Sequence, residues 1–360
     1  MEALKKLRIP LLIAIICCAL LAAATILFFN GAESSQPSQA MVSGAKASST
    51  VPYVTETEEF MAYLRETLPE IGSEALQVRL LELYEKDGPG EQHMAFHYFG
   101  EVLYEEEGAN GLPLCENWYG FGCFHGFLLS AIDVEGYQVV PLLDEACVSA
   151  NKSTMDIETC HHGIGHGLVE FSGRDADEAV EVCDMVHHVF EKLGCASGVF
   201  MEYFSPTQSE KRILVDAPPF DKKNPYNVCD TYTGVRKATC LFEIHPWWQN
   251  VAKFDPQTVE QMCNAVEEEE AREFCLIGYG NSKGPIVDNA LPYCDQFVDP
   301  ESHALCRAGI FWSAEHFNDE KDPMKACRDL PNEYRQFCVQ KGRFTCHLEN
   351  SCNREVSVRE

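Results

Sequence analysis

Sixteen of the 18 cysteines fall into close pairs along the chain, and no other feature narrows its folding options as far. In order the pairs are Cys115/Cys123, Cys147/Cys160, Cys183/Cys195, Cys229/Cys240, Cys263/Cys275, Cys294/Cys306, Cys327/Cys338 and Cys346/Cys352. Six of the eight enclose ten to twelve residues, and most steps between pairs are 19 to 24 residues. Spacing this regular predicts sequential bridges, each local to one unit of an internal repeat. Cysteine metal clusters need C-x2-C-like spacing, and none occurs. In the chain-entropy picture, closing a loop of about a dozen residues stabilises each unit by on the order of 3 kcal/mol.

Lasting disulfides require an oxidising compartment, and the N-terminus supplies a route to one. Lys5, Lys6 and Arg8 precede an uncharged apolar run from Ile9 to Phe29, 21 residues long. That length spans a bilayer as a helix. The nearest small-residue cleavage site, Ala45-Lys46-Ala47, lies well beyond the run. Residues 1–29 therefore read as a basic cytoplasmic tip and a single uncleaved signal-anchor helix. The chain contacts the membrane through residues 9–29, and its bulk is extracytoplasmic. A cleaved signal peptide, the alternative, would export the same bulk. Residues 30–55, rich in Ser, Ala, Gly and Pro, read as a flexible linker. Residues 56–352 form the cysteine-rich domain, and 353–360 a polar tail.

The second cysteine of several pairs opens a shared motif, C-x-x-G followed by apolar residues: Cys123–Gly126, Cys160–Gly163, Cys195–Gly198, Cys275–Gly278 and Cys306–Gly309. In Cys240-Leu241-Phe242-Glu243 a glutamate replaces the glycine. The first cysteines sit in helix-like segments such as PLLDEACVSA and VEQMCNAVEE, with acids and prolines near their starts. Alternating strand patterns are absent. The expected fold is all-α: an α-solenoid of stacked, disulfide-stapled helical hairpins behind one N-terminal transmembrane helix. Residues 56–110 continue the helical pattern without cysteines, as an N-terminal cap. The insertion at 205–225, rich in Pro and Lys, reads as an exposed loop. Across about residues 56–345 this layout resembles the cysteine-rich Sel1-like and tetratricopeptide-type repeat proteins. The resemblance implies stacked helix pairs and carries over no functional residue.

With 28 basic against 56 acidic side chains and a net charge of −28, the chain is excluded as a nucleic-acid binder. The same charge attracts cations. Twelve histidines are unevenly placed. His93, His97 and Glu101 form H-x3-H-x3-E, and His162, His166 and Glu170 repeat it. Imidazoles four residues apart share a helix face and can chelate one ion. The glutamate, about 12 Å from the first histidine by helix rise, suits a general base or an orienting hydrogen bond. Between the two copies, His125, Leu129 and Asp133 occupy the same repeat positions. Helices stacked about 8–10 Å apart would bring these side chains onto one wall.

Neutral imidazoles with carboxylates are ligands for a divalent transition metal, zinc or iron above all. His93, His97, His125, His162 and His166 are thus expected metal ligands, and Glu101 and Glu170 expected catalytic bases. Asp133 and Glu202 are expected to orient the ligands by hydrogen bonds. The glycines at 163, 165 and 167 signal either tight helix packing or room for a substrate. His245, beside Trp247 and Trp248, reads as core. H-E-x-x-H, C-x-x-C-H, G-x-S-x-G and the P-loop pattern are all absent. The expected function is a membrane-anchored extracytoplasmic metal-binding protein, hydrolytic or redox if it is an enzyme. The alternative is a scaffold holding a protein or peptide partner on the concave solenoid face.

Overall fold

The computed structural model describes residues 57–343 apart from 117, 120, 151–153, 188–190, 207–216 and 318–321. The expected anchor at 9–29, the linker at 30–55, the Cys346/Cys352 pair and the tail at 353–360 lie outside the described residues. Among the described residues, no helix is long and apolar enough to cross a membrane.

Regular structure among the described residues is helical throughout. An N-terminal group comprises α1 (Thr57–Ile71), α2 (Ser73–Tyr84) and α3 (Pro89–Glu107). Then come α4 (Gly122–Glu135), α5 (Val140–Ala150), α6 (Thr154–Phe171), α7 (Ala176–Val182) and α8 (Glu191–Phe204). The remainder is α9 (Gly234–Glu243), α10 (His245–Asn250), α11 (Pro256–Asn264), α12 (Glu269–Asn281), α13 (Val287–Cys294), α14 (Pro300–Phe317), α15 (Lys325–Arg328) and α16 (Asn332–Gly342). Local chemistry sets several boundaries. The Asp175 carboxylate accepts from the Glu178 amide at 3.0 Å and caps α7. Asp255 accepts from the Thr258 amide at 2.7 Å, with Pro256 in the first turn of α11. Such caps satisfy N–H groups that no helical carbonyl reaches.

The helices sort into two sets. The first packs in chain order, α3 on α4, α4 on α6, α6 on α8, α8 on α9, α9 on α12, α12 on α14 and α14 on α16. The shorter α5, α7, α11, α13 and α15 each precede one member of that wall and pack on it. Disulfides staple wall helices to the segments that precede them: Cys147–Cys160, Cys183–Cys195, Cys229–Cys240, Cys263–Cys275, Cys294–Cys306 and Cys327–Cys338. Cys115–Cys123 ties the segment before α4 to that helix. These seven bridges follow the expected sequential pairing, and all their cysteines are buried. Disulfide usage on this scale belongs to an oxidising, extracytoplasmic compartment.

The C-x-x-G glycines explain how closely wall helices approach. A Cβ on Gly126 would lie 1.8 Å from the His97 carbonyl oxygen, one on Gly198 1.9 Å from that of His162, and one on Gly309 1.9 Å from that of Ile277. No side chain fits there, so backbone meets backbone. Glycines within α6 serve the same end: a Cβ on Gly165 would sit 2.0 Å from the Cys195 carbonyl oxygen. Packing, rather than space for a substrate, accounts for them.

The insertion before Cys229 is exposed at residues 219 and 221–224, as expected, but its described end also packs on α10. Phe220 stacks against Trp247 and Phe254, with ring centroids 5.2 and 5.4 Å apart. Trp247 and Trp248 donate their indole N–H groups to the carbonyls of Pro218 and Pro225. Two buried indole donors need acceptors, and the described end of the insertion supplies them.

Candidate metal centre and cavity

The three histidines assigned to one repeat position converge. His93 on α3, His125 on α4 and His162 on α6 stand in line, with ring centroids 5.3 and 6.4 Å apart. His97 lies 6.0 Å from His93, and His166 lies 4.7 Å from His162 and 5.2 Å from His125. Adjacency of α3, α4 and α6 produces this, because each presents its helix face at the same level.

The second ring nitrogen of several imidazoles is engaged. His93 Nδ1 donates to the Tyr119 carbonyl at 2.9 Å. His166 Nδ1 donates to Glu202 Oε2 at 3.1 Å, and both residues are buried. His97 Nδ1 lies 3.5 Å from Glu101 Oε1. With Nδ1 tied to oxygen, the lone pair resides on Nε2, and His166 Nε2 is buried without a hydrogen-bond partner. His125 goes further: both its ring nitrogens are shielded from solvent and unpartnered. Burial lowers His93 to about 4, against a weaker upward pull from the Tyr119 carbonyl. Burial, then the neighbouring imidazoles, holds His125 well below the ordinary histidine range. Both rings are therefore neutral near pH 7, the state that binds a cation. The loop supplying the Tyr119 carbonyl holds two non-glycine residues at positive φ, Tyr119 at 46° and Phe121 at 62°, a strain found where a site fixes its backbone.

His93, His125, His162 and His166 face a cavity of about 580 Å³. Its far side is formed by α8, α9, α12 and α14, through residues including Met201, Phe242, Phe274 and Trp312. Two carboxyl groups line it that the sequence reading did not single out as site residues, Glu158 on α6 and Glu243 on α9. Each is about 8% exposed. Burial raises Glu158 to about 8. Burial also raises Glu243, to about 7, against a hydrogen bond from the Ser197 hydroxyl. The signal for Glu243 was its place in the repeat, where other units carry glycine. Glu158 gave no comparable signal.

The expected carboxylates divide. Glu202 is fully buried and touches His166, with Arg174 Nη1 3.9 Å from its other oxygen. Glu101 pairs with His97, which is buried behind His93 and does not line the cavity. Glu170 is partly buried and Asp133 exposed, and neither Glu101, Glu170 nor Asp133 lines the cavity. His161, adjacent to the cluster in sequence, is buried elsewhere, with Nε2 2.8 Å from Asp144 Oδ1. Burial disfavours the Asp144 carboxylate, but hydrogen bonds from His161 and His187 outweigh it and bring the group to about 2. His245 is core as expected: Nε2 donates to the Cys275 carbonyl at 2.7 Å, and the ring meets Trp248 and Tyr279 edge-on.

Among the described residues, the one trio of His, Cys, Asp or Glu whose ligand atoms all lie within 4.8 Å is His245, Cys263 and Cys275. Its cysteines are spent in the Cys263–Cys275 disulfide, so it offers no thiolate. His125, His162 and His166 form a triangle of rings with centroids 4.7, 5.2 and 6.4 Å apart, but their ring nitrogens do not all come within that 4.8 Å limit. No protein-family model matches the chain, and neither a curated protein nor a solved structure matches it.

Proposed function

We propose that this chain is an exported, membrane-tethered metalloprotein, a disulfide-stapled α-solenoid anchored through residues 9–29, that holds a divalent transition metal in its histidine cluster. The observation that carries this reading is His125. Two buried, unpartnered ring nitrogens cost about 1–3 kcal/mol each when nothing binds them, and three other imidazoles adjoin this one. The tied Nδ1 atoms of His93 and His166 hold their rings as oriented donors, as ligating histidines are held. Zinc or iron suits a nitrogen-rich set of this kind. Small turns of the side-chain torsions would bring two or three Nε2 atoms onto one ion. The ion would supply Lewis acidity or an electron to a molecule in the adjoining cavity.

The test is elemental analysis of the purified chain, before and after reconstitution with zinc or ferrous iron. About one equivalent is expected, falling below a tenth in His162→Ala/His166→Ala. A wild-type content below a tenth of an equivalent after reconstitution ends the proposal.

A further inference from the structure

The cavity has chemistry beyond its histidines, and it does not depend on a metal. Glu158 Oε2, Thr239 Oγ1 and Ser313 Oγ line it, are buried, and have no hydrogen-bond partner. Each of these oxygens can accept a hydrogen bond. Glu243, which accepts a hydrogen bond from the Ser197 hydroxyl, adds a second carboxyl group. Among the described residues, no lysine or arginine lines the cavity, and the titratable groups that do are His93, His125, His162, His166, Glu158 and Glu243. Phe242, Phe274 and Trp312 supply aromatic surface.

Two buried carboxyl groups without a cation leave a charge deficit that a ligand can fill. A carboxylate is costly to bury alone, and burial raises Glu158 to about 8 and Glu243 to about 7, so near pH 7 the pair retains a carboxyl proton. An arriving ammonium group offers several N–H donors to these acceptors and a positive charge to the acids. Aromatic faces favour cations over anions by their quadrupoles, and the chain's net charge of −28 favours cations at longer range. An anion would meet no counter-charge among the described lining residues, where the Trp312 indole N–H is a donor but carries no charge.

We infer that this cavity binds a small organic ammonium ion, a protonated amine on an apolar body, with its nitrogen between Glu158 and Glu243. Binding replaces a carboxyl proton by the ammonium charge, so a proton is released to solvent.

Calorimetry with three probes of one shape tests this at pH 7: benzylammonium, benzyl alcohol and benzoate, each titrated into the full chain in two buffers of different ionisation enthalpy. Benzylammonium is expected to bind at least tenfold more tightly than either other probe, with net proton release. Glu243→Gln and Glu158→Gln, shape-matched to the protonated acids, should each weaken it at least tenfold while leaving zinc content unchanged. Preference for benzoate or benzyl alcohol, proton uptake, or failure of all three to bind overturns the inference. If a variant does not fold, the wild-type ranking decides alone. Repeating the titration after chelator dialysis separates the two sites: amine binding that survives metal removal stands whether or not the histidines hold an ion.

Discussion

The two ends of the helical wall share a backbone plan and differ in what they show the cavity. Near the N-terminus, Gly126 on α4 abuts the His97 carbonyl; near the C-terminus, Gly309 on α14 abuts that of Ile277, at nearly the same distance. Both helices carry a buried disulfide to the preceding segment. Yet two residues past the second cysteine the residues run His125, His162, Ser197, Phe242, Ile277, Ala308. Nitrogen gives way to hydroxyl and then to hydrocarbon along one structural row. Cysteine and glycine repeat because every unit must close and stack. The row between them is free of that duty, so it is where chemistry can change from layer to layer.

The sharpest way to break this comparison is to attack the shared plan at both ends. Gly126→Ala and Gly309→Ala place a methyl group against a backbone oxygen 1.8 and 1.9 Å away, respectively. Neither wall helix can yield without disturbing its disulfide and its next neighbour. Each substitution should cost about 3 kcal/mol in urea denaturation, or prevent folding. A severe loss at Gly126 with almost none at Gly309 would show that the two ends are not built alike.

Next in size is the opposite proton linkage of the two kinds of group. His93 is held near 4, below its ordinary 6.5, so the unfolded chain binds the extra proton and stability rises as pH climbs from about 4 to 6.5. Glu243 and Glu158 are raised to about 7 and 8. There the folded chain keeps the proton, and the stability they contribute at low pH is lost as pH rises from about 4.5 through 7 to 8. In Glu243→Gln that loss should shrink by on the order of 2–3 kcal/mol between pH 5 and pH 8. Urea midpoints at the two pH values read it directly. Parallel behaviour of wild type and variant would mean that Glu243 titrates as an ordinary exposed acid.

How far the sequence foretold this arrangement depends on the kind of information each residue carries. Disulfide pairing was legible because a period in the cysteines is a period in space. The line from His93 through His125 to His162 was legible for the same reason: equal repeat positions on adjacent helices face the same way. Carboxylates one or two turns further along were not, because repeat phase says nothing about where a wall ends. Asp133 keeps the phase of its neighbours but emerges into solvent. Glu243 was visible as a broken glycine motif, which by itself signals only a looser junction; its entry into the cavity follows from how α9 sits against α8 and α12. Trp247 and Trp248 found acceptors in an insertion whose composition suggested only solvent.

The smallest predicted effects separate repeat phase from position. Glu202 and Asp133 were both expected to steady metal ligands; Glu202 is buried against His166, one of the expected ligands, whereas Asp133 is exposed. Glu202→Gln keeps the shape of the side chain but removes the charge that holds Nδ1–H in place. Arg174 remains anchored on the backbone carbonyls of residues 202 and 203, so the fold should persist. Zinc affinity measured by competition with a chromogenic chelator should then fall about 10- to 100-fold. Asp133→Asn removes a charge from an exposed position and should leave zinc affinity within about twofold and stability within about 0.5 kcal/mol. If Asp133→Asn weakens zinc as much as Glu202→Gln does, then the row of acids acts through repeat phase after all. Contact with the imidazole would then not be what distinguishes them.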